Sequence, residues 1–153
     1  MGQQQLLLLV LSTVIVGLAT VAGIQAFSEN QAQATQDALI MRATETASDI
    51  LAAHNKPSQM GGVNITNVSD ASGATNLANA IGLSSSTFDA DGAGEGATCD
   101  INSGSGDGTF NNSPEVHVEC SSGDGAVVEV GIDPDASGSN DKIETAITSA
   151  ASV

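Results

Sequence analysis

The sequence predicts an α+β protein, with one long N-terminal α-helix over about residues 3–53 and a small C-terminal antiparallel β-sheet head, and three observations lead there. The 22 residues Leu6–Phe27 carry no charged side chain and are apolar almost throughout. Residues 28–53 contain neither Gly nor Pro and are rich in Ala, Gln, Glu and Leu. From residue 63 the pattern changes to short β-like runs separated by Gly, Ser, Asn and Asp.

At a helical rise of 1.5 Å per residue, Leu6–Phe27 covers about the 30 Å of a bilayer core. A secretory signal needs a basic start, and no Lys or Arg precedes Arg42. The segment therefore reads as retained, although Ile24-Gln25-Ala26 would pass as a weak cleavage site. Gly17 and Gly23 lie inside it, with Ser12, Thr13, Ala19, Thr20 and Ala22 nearby. Small residues let helix backbones approach closely in a membrane or a dry core. Each glycine also costs about 1 kcal/mol of helix propensity, so local loosening is expected there. The same composition suits a plain membrane anchor.

In the continuation, Leu39, Ile40, Met41, Ile50 and Leu51 form two clusters about three turns apart, with alanines at 32, 34, 38, 43 and 47 between them. This is a modest amphipathic face on which a head can dock. His54-Asn55-Lys56-Pro57 ends the helix, because the residue before a proline is pushed out of the helical region. Met60-Gly61-Gly62 makes a turn. The chain divides into an apolar stem (1–27), an amphipathic continuation of the same helix (28–56) and an acidic, β-rich head (57–153).

Within the head, a short helix or turn is expected over Gly73–Leu83, with Leu77, Ile81 and Leu83 facing the stem. Glu115–Ser121 and Ala126–Ile132 read as strands joined by the hairpin residues Ser122-Gly123-Asp124-Gly125. Alternation places Val116, Val118 and Cys120 on one face of the first and Glu115, His117 and Glu119 on the other. Thr98–Asn102 reads as a third strand that brings Cys99 towards Cys120. Lys142–Ser149 closes the chain as a strand, although Ile143 and Ile147 suit either period.

Eighteen acids against three bases (Arg42, Lys56 and Lys142) give a formal net charge of −15. Nucleic acid as a partner is argued against, because phosphates need Lys and Arg to displace their counterions, and so is attraction to an anionic membrane surface. The charge repels itself, and salt screens that repulsion, so the composition fits a halophile; an ordinary acidic surface protein is the alternative. With only Phe27, Phe88 and Phe110 as aromatics, the head has little area to bury and needs support. Cys99 and Cys120 read as a disulfide if the head lies outside the cell, closing a loop of about 20 residues for about 3 kcal/mol. The alternative is two free buried thiols; two cysteines alone do not make a four-ligand zinc site.

Asp89, Asp91 and Glu95 form a weak candidate for a calcium loop, with hard oxygen ligands between glycines but without full EF-hand spacing. A solvated acidic loop explains the same residues. His54 and His117 have no partner at ligand spacing and read as surface histidines. No nucleophile–base, metal-hydrolase or phosphate-loop motif is present, so the sequence reads as no enzyme, with no cofactor and no assigned metal. Asn64-Ile65-Thr66, Asn67-Val68-Ser69 and Asn111-Asn112-Ser113 fit the glycosylation sequon and read first as surface loops.

The opening GQQQLLLLVLSTVIVGLATVAGI and the post-helix KPSQMGG resemble a group of bacterial type IV pilin-like proteins that share a GQQQLLL start and a KPxxxGG turn. The resemblance covers about the first 62 residues and is architectural over the head. It implies insertion in the inner membrane, handling by pilus assembly machinery, and polymerisation of identical subunits into an extracellular helical filament with the N-terminal helices bundled at its centre. On that resemblance Met1 and Gln5 set register, and Leu6, Leu9, Val14, Gly17, Leu18, Val21, Gly23 and Phe27 form the filament core. Typical members carry Glu at the fifth residue, paired with a neighbour's terminal amine; Gln5 accepts a hydrogen bond there without a charge, a weaker contact. A proline often found in the segment is missing, leaving Gly17 and Gly23 as the places for unwinding. With no leader before Met1, the chain reads as a mature form or one processed atypically, and methylation of the terminal amine would follow from the family alone. Two other readings stay open: a monomeric membrane-anchored surface domain that binds a ligand or cation, and a minor pilin or pseudopilin.

Overall fold

The structure is a computed structural model that describes residues 2–68, 70–104, 106, 108, 110, 114–137 and 142–150. Helix α1 (Gly2–His54) is a single α-helix of 53 residues, about 80 Å at helical rise. It passes Gly17 and Gly23 without interruption, so the loosening expected at those glycines is absent from the subunit. Its second half buries Thr35, Leu39, Ala43, Thr46, Ala47, Ile50 and Ala53, which recur at helical spacing along one face. Ala43 and Ala47 on that face let the backbone approach the sheet closely. Met41, expected to dock the head with its neighbours, is instead 73% exposed. Two steps of about 100° separate it from both Leu39 and Ala43, which turns it to the opposite side. Ile40 and Leu51 are half-buried at the margins of the docking face.

After His54 the chain reverses through a 3₁₀ turn (Ser58–Met60) closed by Gly61 at φ +82°. Gly62 N–H then donates to Pro57 O (3.2 Å) and Val63 N–H to Ala53 O (3.3 Å), which folds the strand of chain back onto the helix end. A Cβ on Gly62 would stand 1.9 Å from Lys56 O, so no other residue fits this turn. The Ile65 N–H donates to His54 Nδ1 (3.3 Å), tying a second 3₁₀ turn (Ile65–Asn67) to the same helix end. Helix α2 (Ala71–Ala80) follows, with Asp70 as N-cap accepting from the Gly73 N–H at 2.8 Å.

The sheet is an antiparallel meander in the order β1-β2-β3-β4-β5: β1 (Thr87–Asp89), β2 (Thr98–Ser103), β3 (Val116–Ser121), β4 (Val127–Ile132) and β5 (Ile143–Ser149). β3 and β4 start within one residue of the ranges read from alternation, and β5 takes the strand option. The short edge strand β1 was not foreseen; it pairs Phe88 with Cys99. The inner face buries Cys99 and Ile101 of β2, Val116, Val118 and Cys120 of β3, and Val128, Val130 and Ile132 of β4. α1 crosses this face over β3, β4 and β5, while α2 packs chiefly on β2. Leu77 is fully buried in the same core as the docking face of α1, with Ile81 and Leu83 partly buried against it. The Arg42 guanidinium lies 5.3 Å from the centre of the Phe88 ring, a cation–π contact that fastens the β1 edge to α1.

Cys99 and Cys120 face each other in the β2–β3 register with Cα atoms 4.0 Å apart, and they are joined as a disulfide. The bridge spans 21 positions and is fully buried in the inner face. In the chain-entropy account such a closure contributes about 3 kcal/mol, a large share for a head whose core is mostly Val, Ile and Ala.

Two substitutions on α1 separate its docking face from its outward face. In chemical denaturation of the full subunit in detergent micelles, Leu39→Ala should lower stability by about 2–5 kcal/mol. Met41→Ala should stay within about 0.5 kcal/mol of the parent.

Candidate functional site: the uncovered stem

The head covers α1 only from Thr35 onward, and the apolar half of the helix projects beyond it with no residue buried. The large apolar residues between Leu6 and Phe27 are 51–73% exposed on every side of the helix. Leu6, Leu9, Val14, Leu18, Val21 and Phe27 lie within about half of the circumference, the exposed Leu8, Ile15 and Val16 carry the apolar surface round the other side, and nothing approaches within 4 Å of where side chains on Gly17 and Gly23 would stand. Gln5 sits exposed near the start of the helix, and Met1 lies outside the described residues. By length and composition the segment can cross a membrane.

The hydroxyl side chains inside the stem are already satisfied by their own helix. Ser12 Oγ donates to Leu9 O (2.9 Å), Thr13 Oγ1 to Val10 O (2.9 Å) and Thr20 Oγ1 to Gly17 O (2.8 Å). With their donors returned to the backbone, these hydroxyls present small, nearly apolar surface and carry little penalty in a dry environment. The stem is a surface prepared for burial.

The other residues singled out in the sequence do not gather into a site. Asp89, Asp91 and Glu95 are all exposed at the β1–β2 connection, whose anchors are instead the buried Ala90, Ala93 and Ala97. Among the described residues no three His, Cys, Asp or Glu side chains converge to hold a metal ion. His54 is half-buried at the end of α1 and serves as the acceptor for Ile65. His117 departs from the expected surface position: it is only 5% exposed.

The reason lies on the outer face of the sheet, which is itself covered. Gly104 N–H donates to Glu115 O (2.9 Å), closing the base of the β2–β3 connection, and Gly104 O meets His117 Nδ1 at 2.8 Å. Gly108 N–H donates to the carboxylate of Glu129, which is 1% exposed. Pro114 and Phe110 lie against Gly131, where a Cβ would come within 3.1 Å of both. His117 and Glu129, which strand alternation alone assigns to solvent, are thus buried beneath Gly106 and Gly108 of the β2–β3 connection. The one sequence signal was the run of glycines at 104, 106 and 108, which close approach to a sheet requires.

On the same outer face, Asp100 pairs with Glu119 and Glu119 with Glu129, so three carboxylates follow one another across β2, β3 and β4. Directly opposed side chains have Cβ atoms about 5 Å apart, and like charges there are destabilising. Salt weakens the repulsion between the half-buried Asp100 and Glu119, since the screening length falls from about 30 Å at 0.01 M to about 3 Å at 1 M, and acts much less on the buried Glu129. No protein-family model, curated protein or solved structure matches the chain.

Glu119, in the middle of the row, gives a direct check. Glu119→Gln should raise the melting temperature of the subunit in low salt and have a much smaller effect in molar salt. An equal effect at both salt concentrations would assign it to packing instead.

Proposed function

We propose that this protein is the repeating subunit of an extracellular type IV pilus-like filament, held together by its N-terminal stems, in a high-salt environment. The observation that carries the reading is the apolar half of α1, uncovered on all sides while the other half of the same unbroken helix is docked by the head. Covering such a stem with copies of itself removes apolar area at about 25 cal/mol per Å², on the order of 20 kcal/mol per subunit before association and ordering costs are subtracted. Lipid covers it equally well while the subunit waits in the membrane. Gly17, Gly23, Ala19 and Ala22, with the self-satisfied hydroxyls of Ser12, Thr13 and Thr20, allow the closer approach that helix-on-helix packing uses.

The rest of the chain is consistent with that role. The acidic head keeps an assembled fibre hydrated and discourages side-by-side bundling. The disulfide suits an oxidising, extracellular setting. Gln5 is the register contact in this reading, acting as an uncharged acceptor for a neighbour's terminal amine.

Electron microscopy of surface material from cells carrying Val14→Asp or Leu18→Asp tests the role. The parent should yield long fibres, and either variant should yield none, because a carboxylate in the dry bundle has no partner there. Fibres of normal length from both variants would remove the buried-stem assembly. Dispersed parent particles that need detergent to stay in solution would instead assign a membrane-anchored surface domain.

A further inference from the structure

Of the three sequons, Asn64-Ile65-Thr66 is the one that the structure describes in full, since Ser69 of the second and all of Asn111-Asn112-Ser113 lie outside the described residues. Its three residues have distinct tasks. Ile65 is fully buried and pins the triplet to the head, and its N–H donates to His54 Nδ1 at the end of α1. Asn64 is exposed, with extended backbone (φ −86°, ψ 111°). Thr66 donates twice to the Asn64 side chain, from its N–H (3.1 Å) and from its hydroxyl (2.7 Å).

Because a backbone N–H can only donate, the atom that Thr66 meets is Oδ1, and the amide nitrogen Nδ2 is on the other branch of the side chain. Among the described residues Nδ2 has no hydrogen-bond partner. Two hydrogen bonds to Oδ1 draw electron density towards the oxygen and make the NH₂ group easier to deprotonate. The side chain is therefore fixed by one end and presents its reactive end to solvent, at the end of α1 farthest from the stem.

We infer that Asn64 is a site of N-linked glycosylation, taking a sugar from an activated glycosyl phosphate or pyrophosphate donor. In the transfer the Asn64 Nδ2–C1 bond forms as the bond from C1 to the donor phosphate oxygen breaks. The phosphate leaves with the electron pair, and one amide proton passes to a base of the transferase; nothing is oxidised or reduced. Thr66 acts on the acceptor through its hydroxyl. A glycan here adds neutral, hydrated bulk beside an acidic head, and nothing in the assignment depends on whether the subunits polymerise.

Peptide mapping by mass spectrometry of the protein purified from its native cells tests the assignment. Asn64 should carry a sugar mass increment in the parent, in Thr66→Ser and in Asn67→Gln, and should lose it in Asn64→Gln and Thr66→Val. An unmodified Asn64 in the parent overturns the proposal, and that single map decides it even if a variant fails to accumulate. An increment on Asn64 that persists in Thr66→Val would keep the site and overturn the role given to the Thr66 hydroxyl.

Discussion

An apolar helix that its own subunit leaves bare is the constraint on which the rest of the molecule depends. Water opposes the exposure of Leu6–Phe27, and among the described residues nothing covers it. By length and composition that surface suits a membrane. Everything distal to Thr35 is arranged so that the head stays off the stem: the docking face begins there, and the chain after His54 turns straight back over the outer half of α1. The continuous helix makes one rigid element of two halves with opposite solvent requirements. Whatever holds the stem also holds the head at a fixed distance.

The head is a light structure for such a task. Its core is built from Val, Ile, Leu and many alanines, and its only aromatics, Phe88 and Phe110, lie at the margins, one under Arg42 and the other over Gly131. Three features compensate. Half of the docking surface is supplied by α1, which is already ordered as a helix. A disulfide joins the two central strands that lie beneath the helices. Gly104, Gly106 and Gly108 lie over the outer face, so the sheet is covered on both sides around His117 and Glu129. The row Asp100–Glu119–Glu129 works against these, because like charges directly opposite one another are destabilising.

The long helix, the inner-face strands and the cysteine pairing were legible because each rests on a local rule: no breaker before Pro57, period-two alternation in β3 and β4, and two cysteines in a poorly cored head. What was not legible depended on tertiary placement. Met41 sits in an apolar cluster by sequence, but the helix turns it away from the sheet. His117 alternates outward correctly and is still buried, because a loop with no apolar pattern of its own lies over it. β1 is three residues long and carries no periodicity to read. The stem was legible as an uncovered surface, since its 22 residues carry no charge and offer no polar face. What would cover it lies outside the subunit, and a single chain does not contain that information.

Intermolecular cross-linking through the stem tests the central claim most directly. Val14→Cys places one thiol on a surface that the subunit leaves open, apart from the buried Cys99–Cys120 pair. If stems pack against stems, a bis-maleimide with an arm of about 15 Å, long enough to bridge staggered neighbouring helices, should join subunits in intact surface material, and denaturing electrophoresis should show dimers at high yield. If the subunit stays monomeric with that reagent and its thiol is capped freely by a lipid-soluble mono-maleimide, the stem lies in lipid alone, and the account of it as an assembly surface is wrong.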